Sequence, residues 1–470
     1  MIVEGAVTDT LNLPGVRTVK HVFSNDQHTF LAEGIDPAPS PQCCLLFKAK
    51  AVKNGTVGRQ FVDTTRDGKP AIIHYDLQKW KCRACNGSPS EHLAWSEPNH
   101  GFTRKGADAV YKKAIVGAFS RVADEFGSTG HTVAALFKDR AGPDVEAIRR
   151  RTPRVLGLDE KYLWRDYRGT LANVEERTLL WLLPKRTDAT LEAFFEAMPD
   201  RDRVEVIVID MYAPYRKLLR KWFPGRVIVV DKFHIIRYAT LAIFSGRAAL
   251  RMSGQSDEDR RELKRTRYTL LKRRENWTAH DVRTFRLIEE KWPDMAELFE
   301  WKEAAHMIFE APYSQAGARE AYETWKNGLP PRFRRFFRRF TNNMRNERWG
   351  NEIFNYFDHR YTNAYTERLN GMIDDANKIG RGYPYETLFL KAMLQFGVKR
   401  APARRLIRSR ELLDGVVTKG LGHSFFGLGE LARLAWALAT ALWRSRRPVL
   451  EDDGIDLSTL AEGFRDPSVW

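Results

Sequence analysis

Two aspartates in the stretch Val204 to His234, VEVIVIDMYAPYRKLLRKWFPGRVIVVDKFH, are the first candidates for chemistry in this sequence. Asp210 and Asp231 each end a short run of valines and isoleucines, and the residues between the two runs have helical periodicity. Short continuous apolar runs are typical of strands buried on both faces, and a helix between them predicts a parallel pair. Because sites in open α/β sheets form at the carboxyl ends of strands, we expect both carboxylates at one sheet edge.

A third aspartate, Asp159, follows the apolar run RVLGL. From Arg154 to Asp231 the patterns predict strand, strand, strand, helix, strand, helix and strand, which is the element order of the ribonuclease H fold. In that mixed sheet the first and fourth strands are neighbours, so Asp159 and Asp210 would lie side by side. Two close carboxylates are costly unless a cation lies between them, and Mg²⁺ prefers such oxygen ligands in phosphoryl chemistry.

A fourth acid lies far downstream in TNAYTERLNGMIDDANKIGRG. Thr362 or Asn363 can cap a helix on which Glu367, Asn370 and Asp374 share one face, and the following glycines end it. Taken alone, such a glutamate is more often a surface residue. Beside Asp159 and Asp210 it would complete a metal-binding triad.

Composition narrows the class of protein. The chain has 470 residues, which suggests two to four domains, and its net charge of +17 points to a polyanionic partner, nucleic acid first. A soluble basic protein without such a partner is the alternative. No apolar run approaches the length that spans a bilayer, and the first residues lack the pattern of a secretory signal. Four cysteines do not form a disulfide framework in a chain of this length, so we expect a reducing cytoplasm.

The cysteines suggest an irregular zinc finger at the N-terminus. Cys82 and Cys85 form a CxxC, the usual half of a zinc knuckle, whereas Cys43 and Cys44 are adjacent and cannot make the usual knuckle turn. The fourth ligand would be Cys44 or a histidine such as His74. A degenerate finger held by its apolar core, with inert thiols, is the alternative. The sequence between the two halves predicts strands joined by a turn at Asp67-Gly68-Lys69-Pro70.

Two regions have features of DNA binding. The segment VADEFGSTGHTVAALFKD predicts a helix ending near Phe126, a glycine turn and a second helix, which is a helix-turn-helix pattern with His131, Thr132 and Lys138 on the second helix. Such helix pairs also occur as plain structure. From about residue 235 to 357 the chain reads as charged helices, and Arg334, Arg335, Arg338 and Arg339 alternate with phenylalanines. Those guanidiniums can contact phosphates while the rings pack inward, or they can form a solvated helix face.

Three segments of the chain together resemble the bacterial insertion-sequence transposases of the ISL-three group. They are LGLDE, VIVIDMYAPYRKLLRKWFPGRVIVVDKFHIIR and RYTNAYTERLNGMI. The resemblance covers roughly residues 40 to 400. It implies a ribonuclease-H-like DDE catalytic domain interrupted by an all-helical insertion and preceded by a cysteine finger and a helix-turn-helix. It also implies that Asp159, Asp210 and Glu367 are the catalytic acids, and that Asp231, His234 and Asn370 support them.

The resemblance further implies two Mg²⁺ or Mn²⁺ ions, Zn²⁺ in the finger, and double-stranded DNA, both terminal inverted repeats and target, as partner. We expect a homodimer or larger oligomer on DNA, associated with the bacterial nucleoid. The expected regions are a finger domain at 1–101, a helix-turn-helix at 102–150, catalytic core at 151–234, helical insertion at 235–357, final core helices at 358–400 and a basic helical tail at 401–470. A non-catalytic regulator derived from a transposase and a nuclease without strand transfer are the competing hypotheses.

Overall fold

The computed structural model describes residues 11–36, 51–148, 151–253 and 256–398. All of them belong to one unit, Met1–Arg400. Cys43, Cys44 and the predicted basic tail at 401–470 lie outside the described residues. Helices and sheets are mixed in this unit, which confirms the predicted α/β class.

The N-terminal part is a four-stranded sheet with the strand order β1-β2-β4-β3. Its strands are β1 (Val16–Ser24), β2 (Gln27–Gly34), β3 (Val52–Val62) and β4 (Ala71–Lys81). The predicted turn lies between β3 and β4, where Asp67 and Gly68 have φ angles of +47° and +74°. Alternating side chains such as Phe30, Ile73 and Tyr75 are buried in its core.

Three helices follow: α1 (Arg104–Val116), α2 (Phe119–Phe126) and α3 (Gly130–Ala147). As predicted, α2 ends at Phe126. Gly127 has a φ of +69°, which glycine adopts without steric cost, and the Thr129 hydroxyl caps α3 by accepting a 3.2 Å hydrogen bond from the Thr132 N–H. The predicted pair of helices joined by a tight turn is therefore present, with Val122, Phe126 and Leu136 packed in a shared core.

The central sheet has five strands in the order β7-β6-β5-β8-β9. Its elements along the chain are β5 (Val155–Leu163), β6 (Asp166–Asn173), β7 (Thr178–Leu182), α4 (Asp188–Ala197), β8 (Val206–Ile209), α5 (Ala213–Trp222) and β9 (Val227–Val230). The pairs β5/β6 and β6/β7 are antiparallel, whereas β5/β8 and β8/β9 are parallel. All four residues of β8 are buried, which explains why its sequence has no polar alternation.

From Lys232 onward every regular element among the described residues is helical. These helices are α6 (Lys232–Met252), α7 (Asp257–Arg265), α8 (Arg267–Leu271), α9 (Ala279–Lys291), α10 (Pro293–Glu310), α11 (Gln315–Gly328), α12 (Pro331–Arg334), α13 (Arg338–Asn343), α14 (Gly350–His359), α15 (Ala364–Ile379) and α16 (Tyr385–Phe396). One continuous hydrophobic cluster joins the sheet to helices α6 to α14, with Phe299, Phe337 and Phe354 among its buried rings. The helical region is thus stabilised by the same core as the sheet.

Close contacts hold α15 against β5 and α16 against the end of α1. A Cβ on Gly157 of β5 would lie 2.5 Å from Thr366 Oγ1, so only glycine lets α15 approach the strand this closely. On α16, Lys391 Nζ donates hydrogen bonds to the carbonyl oxygens of Ala114 and, at 2.9 Å, Gly117 at the end of α1. Gln395 Nε2 donates to the Ile115 carbonyl at 2.8 Å. The three-helix region and the sheet are therefore joined through α16.

None of the helices in the described ranges is both long enough and apolar enough to cross a membrane.

Candidate active site

The sheet brings Asp159 and Asp210 together. In the parallel β5/β8 pair Leu158 lies opposite Ile209, so the next residue on each chain is an aspartate. Asp159 is 7% exposed, within a strand that continues to Leu163. Asp210 follows the last residue of β8, and 22% of its side chain is exposed. The two carboxylates thus lie at the carboxyl edge of the sheet, as the strand order predicted.

Asn370 holds the Asp159 carboxylate. Its Nδ2 donates a 2.8 Å hydrogen bond to Asp159 Oδ2, and its Oδ1 accepts a 2.7 Å hydrogen bond from the Thr170 hydroxyl. The backbone N–H of Glu160 donates to the other Asp159 oxygen at 2.8 Å. Burial, and then the negative charge of Asp210, raise the pKa of Asp159 well above its usual range. The predicted face of α15 therefore reaches the first aspartate through Asn370.

Glu367 lies in the first turn of α15, and 47% of its side chain is exposed. Asn363, at the N-cap position, makes no side-chain bond to the helix. Its Nδ2 lies instead 3.4 Å from Asp210 Oδ1. The start of α15 thus lies beside the second aspartate. Asp374, two turns further along, pairs with Lys161 of β5 at 3.5 Å.

His234 lies between two of the acids. Its Nε2 is 2.9 Å from Asp210 Oδ1 and 3.3 Å from Glu367 Oε1. Burial alone would lower the pKa of His234, but the hydrogen bonds to these carboxylates outweigh it and raise the pKa to about 11. Asp210, His234 and Glu367 each offer a ligand atom, and these atoms lie within 4.8 Å of one another. No other such group of three occurs among the described residues.

Asp231 follows β9 at the same sheet edge as Asp210, as expected, since Ile209 lies opposite Val230, but its carboxylate caps a helix. It is fully buried at the N-cap of α6, where Oδ1 accepts a 2.8 Å hydrogen bond from the Phe233 N–H. Its other oxygen accepts from the N–H of Asn363. Burial raises the pKa of Asp231 to about 6. The Asp231 carboxylate therefore links the start of α6, which carries His234, to the start of α15, which carries Glu367.

Sequence reasoning did not single out Glu160. Strand alternation directs it to the opposite face of β5 from Asp159. Arg186 donates a 2.6 Å hydrogen bond to Glu160 Oε1, and its guanidinium lies over the rings of Tyr167 and Tyr212, 3.9 Å and 4.9 Å from their centroids. The only sequence signal was the acidic doublet that Glu160 forms with Asp159. The arrangement supports the end of β5 next to the site.

The arginines predicted to contact phosphates lie on the surface. Arg334, Arg335, Arg338 and Arg339 are exposed, whereas the interleaved Phe333, Phe337 and Phe340 are buried. The phenylalanines therefore pack inward, as the alternation predicted. On α3, His131 and Lys138 are exposed and Thr132 is half-buried. These positions are accessible to a partner, although none of them lies in the group formed by Asp210, His234 and Glu367.

Of the four cysteines, only Cys82 and Cys85 lie in the described part of the chain. Cys82, just after β4, is buried, and Cys85 is exposed with its Sγ accepting from the Gly87 N–H at 3.4 Å. Within the described ranges neither His74 nor any other histidine or acid forms a three-ligand group with them. The predicted finger stays a prediction, because Cys43 and Cys44 fall outside those ranges.

The acids and the histidine at the carboxyl edge of this mixed sheet offer oxygen and nitrogen atoms that could hold a metal ion. A family model described as a transposase, that of the DDE transposases of the ISL3 group, matches residues 156–392, which is just over half of the chain. The chain belongs to this family of insertion-sequence transposases.

It is similar to the transposase for insertion sequence element IS1001 of Bordetella parapertussis, with 28% identity over 264 residues. The match covers 54% of this chain and 64% of the relative, so the chain spans somewhat less than two thirds of that protein. The family match itself begins one residue into β5 and ends within α16, and it includes Asp159, Asp210 and Glu367.

Proposed function

We propose that this protein binds the terminal inverted repeats of an insertion sequence, cuts the DNA at the element's ends and joins them to a target. The observation that carries the proposal is the convergence of Asp159, Asp210 and Glu367, from two adjacent strands and a helix, at one sheet edge within the matched family region. Three antiparallel strands followed by two parallel ones support a ribonuclease-H-like core, the fold expected from the element order.

The residues present fit divalent cations. Asp210 and Glu367 approach the same nitrogen of His234, which at neutral pH carries the positive charge between them. Asp159 adds a buried carboxylate next to Asp210 with no cationic side chain bonded to it. Asp159, Asp210 and Glu367 would hold two Mg²⁺ or Mn²⁺ ions, and His234 would release its proton or move aside. Bound there, the ions would activate water or a 3′-hydroxyl and stabilise the leaving oxygen.

The neighbouring residues position these acids. Asn370 orients Asp159 through a directed hydrogen bond, and the Thr170 hydroxyl holds the other end of the amide by donating to Asn370 Oδ1. Asp231 joins the helices that carry His234 and Glu367. None of these residues needs to contact DNA. Their role is to keep the carboxylates in one arrangement before and during the reaction.

The rest of the chain would hold DNA. We assign base reading to the helix pair α2 and α3, with His131, Thr132 and Lys138 at the groove, and backbone contact to Arg334, Arg335, Arg338 and Arg339. The same proposal includes three further points. These are zinc binding by Cys43, Cys44, Cys82 and Cys85, the division into six regions, and assembly as a dimer or larger oligomer. Two DNA ends must be held together for joining, which is the reason to expect more than one protomer.

The test uses the full chain with Mg²⁺ and a DNA carrying the element's two ends. Cleavage at the ends and joining to a target plasmid are expected for the wild type and absent in Asp210→Ala and Glu367→Ala. Asp202→Ala is the matched control, because Asp202 is a fully exposed acid outside the candidate site. No cleavage at all would contradict the enzyme and favour the regulator, whereas cleavage without joining would favour the nuclease.

A further inference from the structure

Arg247 is a buried arginine in the second half of α6. It is 9% exposed, and one guanidinium nitrogen, Nη2, donates a 2.7 Å hydrogen bond to the Leu263 carbonyl. Its Nε is buried and has no hydrogen-bond partner. No carboxylate among the described residues forms an ion pair with it. A buried guanidinium with an unused donor is unfavourable unless something else binds it.

Two more arginines surround Arg247. Arg251 lies one helical turn further along α6 and shares its face. Arg267, at the start of α8, also has a buried Nε without a partner, and its guanidinium lies 5.3 Å from the ring centroid of Phe244. Burial first, and then the like charges of Arg267 and Arg251, lower the pKa of Arg247 to about 10. The three arginines repel one another, and no acid in the described ranges pairs with any of them.

Three buried or half-buried cations near α8 to α10 have acidic partners. Arg273 pairs with Glu303 at 3.3 Å and also with Glu310, and Lys302 pairs with Glu303 at 2.9 Å. Lys272 pairs with Asp281 at 2.8 Å. Arg247, Arg251 and Arg267 differ from these three cations because no acid among the described residues pairs with them. An anion bound beside the guanidiniums would offset this repulsion.

We propose that Arg247, Arg251 and Arg267 bind a phosphate group of the DNA backbone. This site rests on the proposed function and adds a contact that the sequence did not predict. Thirteen residues of α6 separate Arg247 from His234, which corresponds to about 20 Å at 1.5 Å per residue. The bound phosphate would thus belong to DNA that extends some base pairs beyond the reacting bond.

The test measures DNA affinity of the full chain against salt concentration in EDTA, where cleavage does not occur. Each phosphate contact contributes about 0.9 to the slope of log K against log salt. We expect Arg267→Gln and Arg247→Gln each to reduce the slope by about 1 and to weaken binding to unrelated duplexes equally. Arg283→Gln on α9, an exposed arginine with no ion pair, is the matched control and should leave the slope unchanged.

Stability separates this role from a structural one. Removing one of three uncompensated charges should leave the melting temperature of Arg267→Gln equal to or above that of the wild type, while its DNA affinity falls. An unchanged slope in folded Arg267→Gln and Arg247→Gln would overturn the proposal. A second outcome would also overturn it: inorganic phosphate, at constant ionic strength, raises the melting temperature of the wild type while the slopes of the variants stay unchanged. That pattern indicates a site for free phosphate. The salt dependence of DNA binding does not depend on catalysis. If the wild type did not cleave DNA but the two variants still showed reduced slopes, the proposed function would be contradicted and the phosphate site would not.

Discussion

Asn370 and Asp159 are 211 residues apart in sequence and are joined by a 2.8 Å hydrogen bond from the Asn370 amide to the buried carboxylate. The contact links β5 directly to α15. The Thr170 hydroxyl donates to the other end of the same amide, and an ionised Asp159 carboxylate, which can only accept, requires the NH2 end of Asn370 to face it.

Replacing Asn370 tests this positioning role. Asn370→Ala should lower the rate of DNA cleavage by about 10- to 100-fold, the usual effect of removing a residue that orients a metal ligand. Thr170→Val keeps the bond from Asn370 to Asp159 but removes the hydrogen bond that holds the other end of the amide, so the loss of rate should be smaller. The measurement is the cleavage rate across a Mg²⁺ series, since a loosened ligand also raises the Mg²⁺ concentration needed. Equal rates for Asn370→Ala and wild type would refute the role.

His234 supplies the positive charge between Asp210 and Glu367 when no metal is bound. In EDTA, His234→Gln should melt about 3 °C or more below the wild type, because two carboxylates then face each other without compensation. Mn²⁺ should raise the melting temperature more in the variant than in the wild type, since the ion no longer competes with the imidazolium. His280→Gln, an exposed histidine, is the control. Equal Mn²⁺ shifts in the two proteins would mean that metal does not bind here.

Asp281 should make stability depend on pH. Burial alone would raise its pKa, but hydrogen bonds from Lys272, Thr278 and Thr269 outweigh burial and hold the pKa well below the usual range. A depressed carboxyl pKa stabilises the fold above the unfolded pKa of about 3.9, and this contribution is lost as the pH falls below it. At pH 7 we expect Asp281→Asn to cost roughly 2 to 4 kcal/mol of unfolding free energy.

Denaturant unfolding at a series of pH values measures this effect. The difference between wild type and Asp281→Asn should shrink as the pH falls below about 4. Asp257→Asn is the control, because this exposed aspartate pairs only with Arg260 on its own helix and should cost about 0.5 kcal/mol or less. A difference that stayed constant from pH 7 to pH 3 would show that the charge of Asp281 is not what stabilises the helices.

Gly157 tests the approach of α15 to the sheet. A methyl group at this position would meet Thr366 Oγ1 at 2.5 Å and Val174 at 2.9 Å, so α15 must move or the strand must bend. Gly157→Ala should therefore destabilise the protein by about 1 to 3 kcal/mol and reduce cleavage, because Glu367 lies one residue after Thr366. Gly371→Ala on the same helix has no atom within 4 Å of its new methyl group and serves as control. Equal stability of the two variants would contradict the packing argument.

The central elements could be predicted from sequence because their local signals are strong. The all-apolar runs of β8 and β9 leave no alternative to buried strands, and Gly380 marks the end of α15. The two helices predicted before β8 and between β8 and β9 are present as α4 and α5. Strand order then followed from the element sequence, and with it the proximity of Asp159 and Asp210.

Other features depend on contacts that no local pattern encodes. β1 and β2 were not predicted, since their polar and aromatic residues alternate only weakly. β5 continues four residues beyond Asp159 because it pairs with β6, where Tyr162 lies opposite Tyr167. The link from Asp231 to Asn363 spans 132 residues. His234 lies 133 residues before Glu367, so its position between Glu367 and Asp210 could not be predicted from a local pattern. The arginines around Arg247 form no sequence motif.

The contact of Lys391 and Gln395 with the end of α1 has a consequence for the geometry of the DNA substrate. If α2 and α3 read the terminal repeats, the interval between the recognised bases and the cut phosphate is set by the protein body, because α16 joins α1 directly to the sheet. Duplex DNA turns by roughly 35° per base pair, since one turn takes about 10 base pairs. Inserting one base pair into that interval would rotate the scissile phosphate away from the acids, whereas an insertion of a full turn would restore its direction but not its distance.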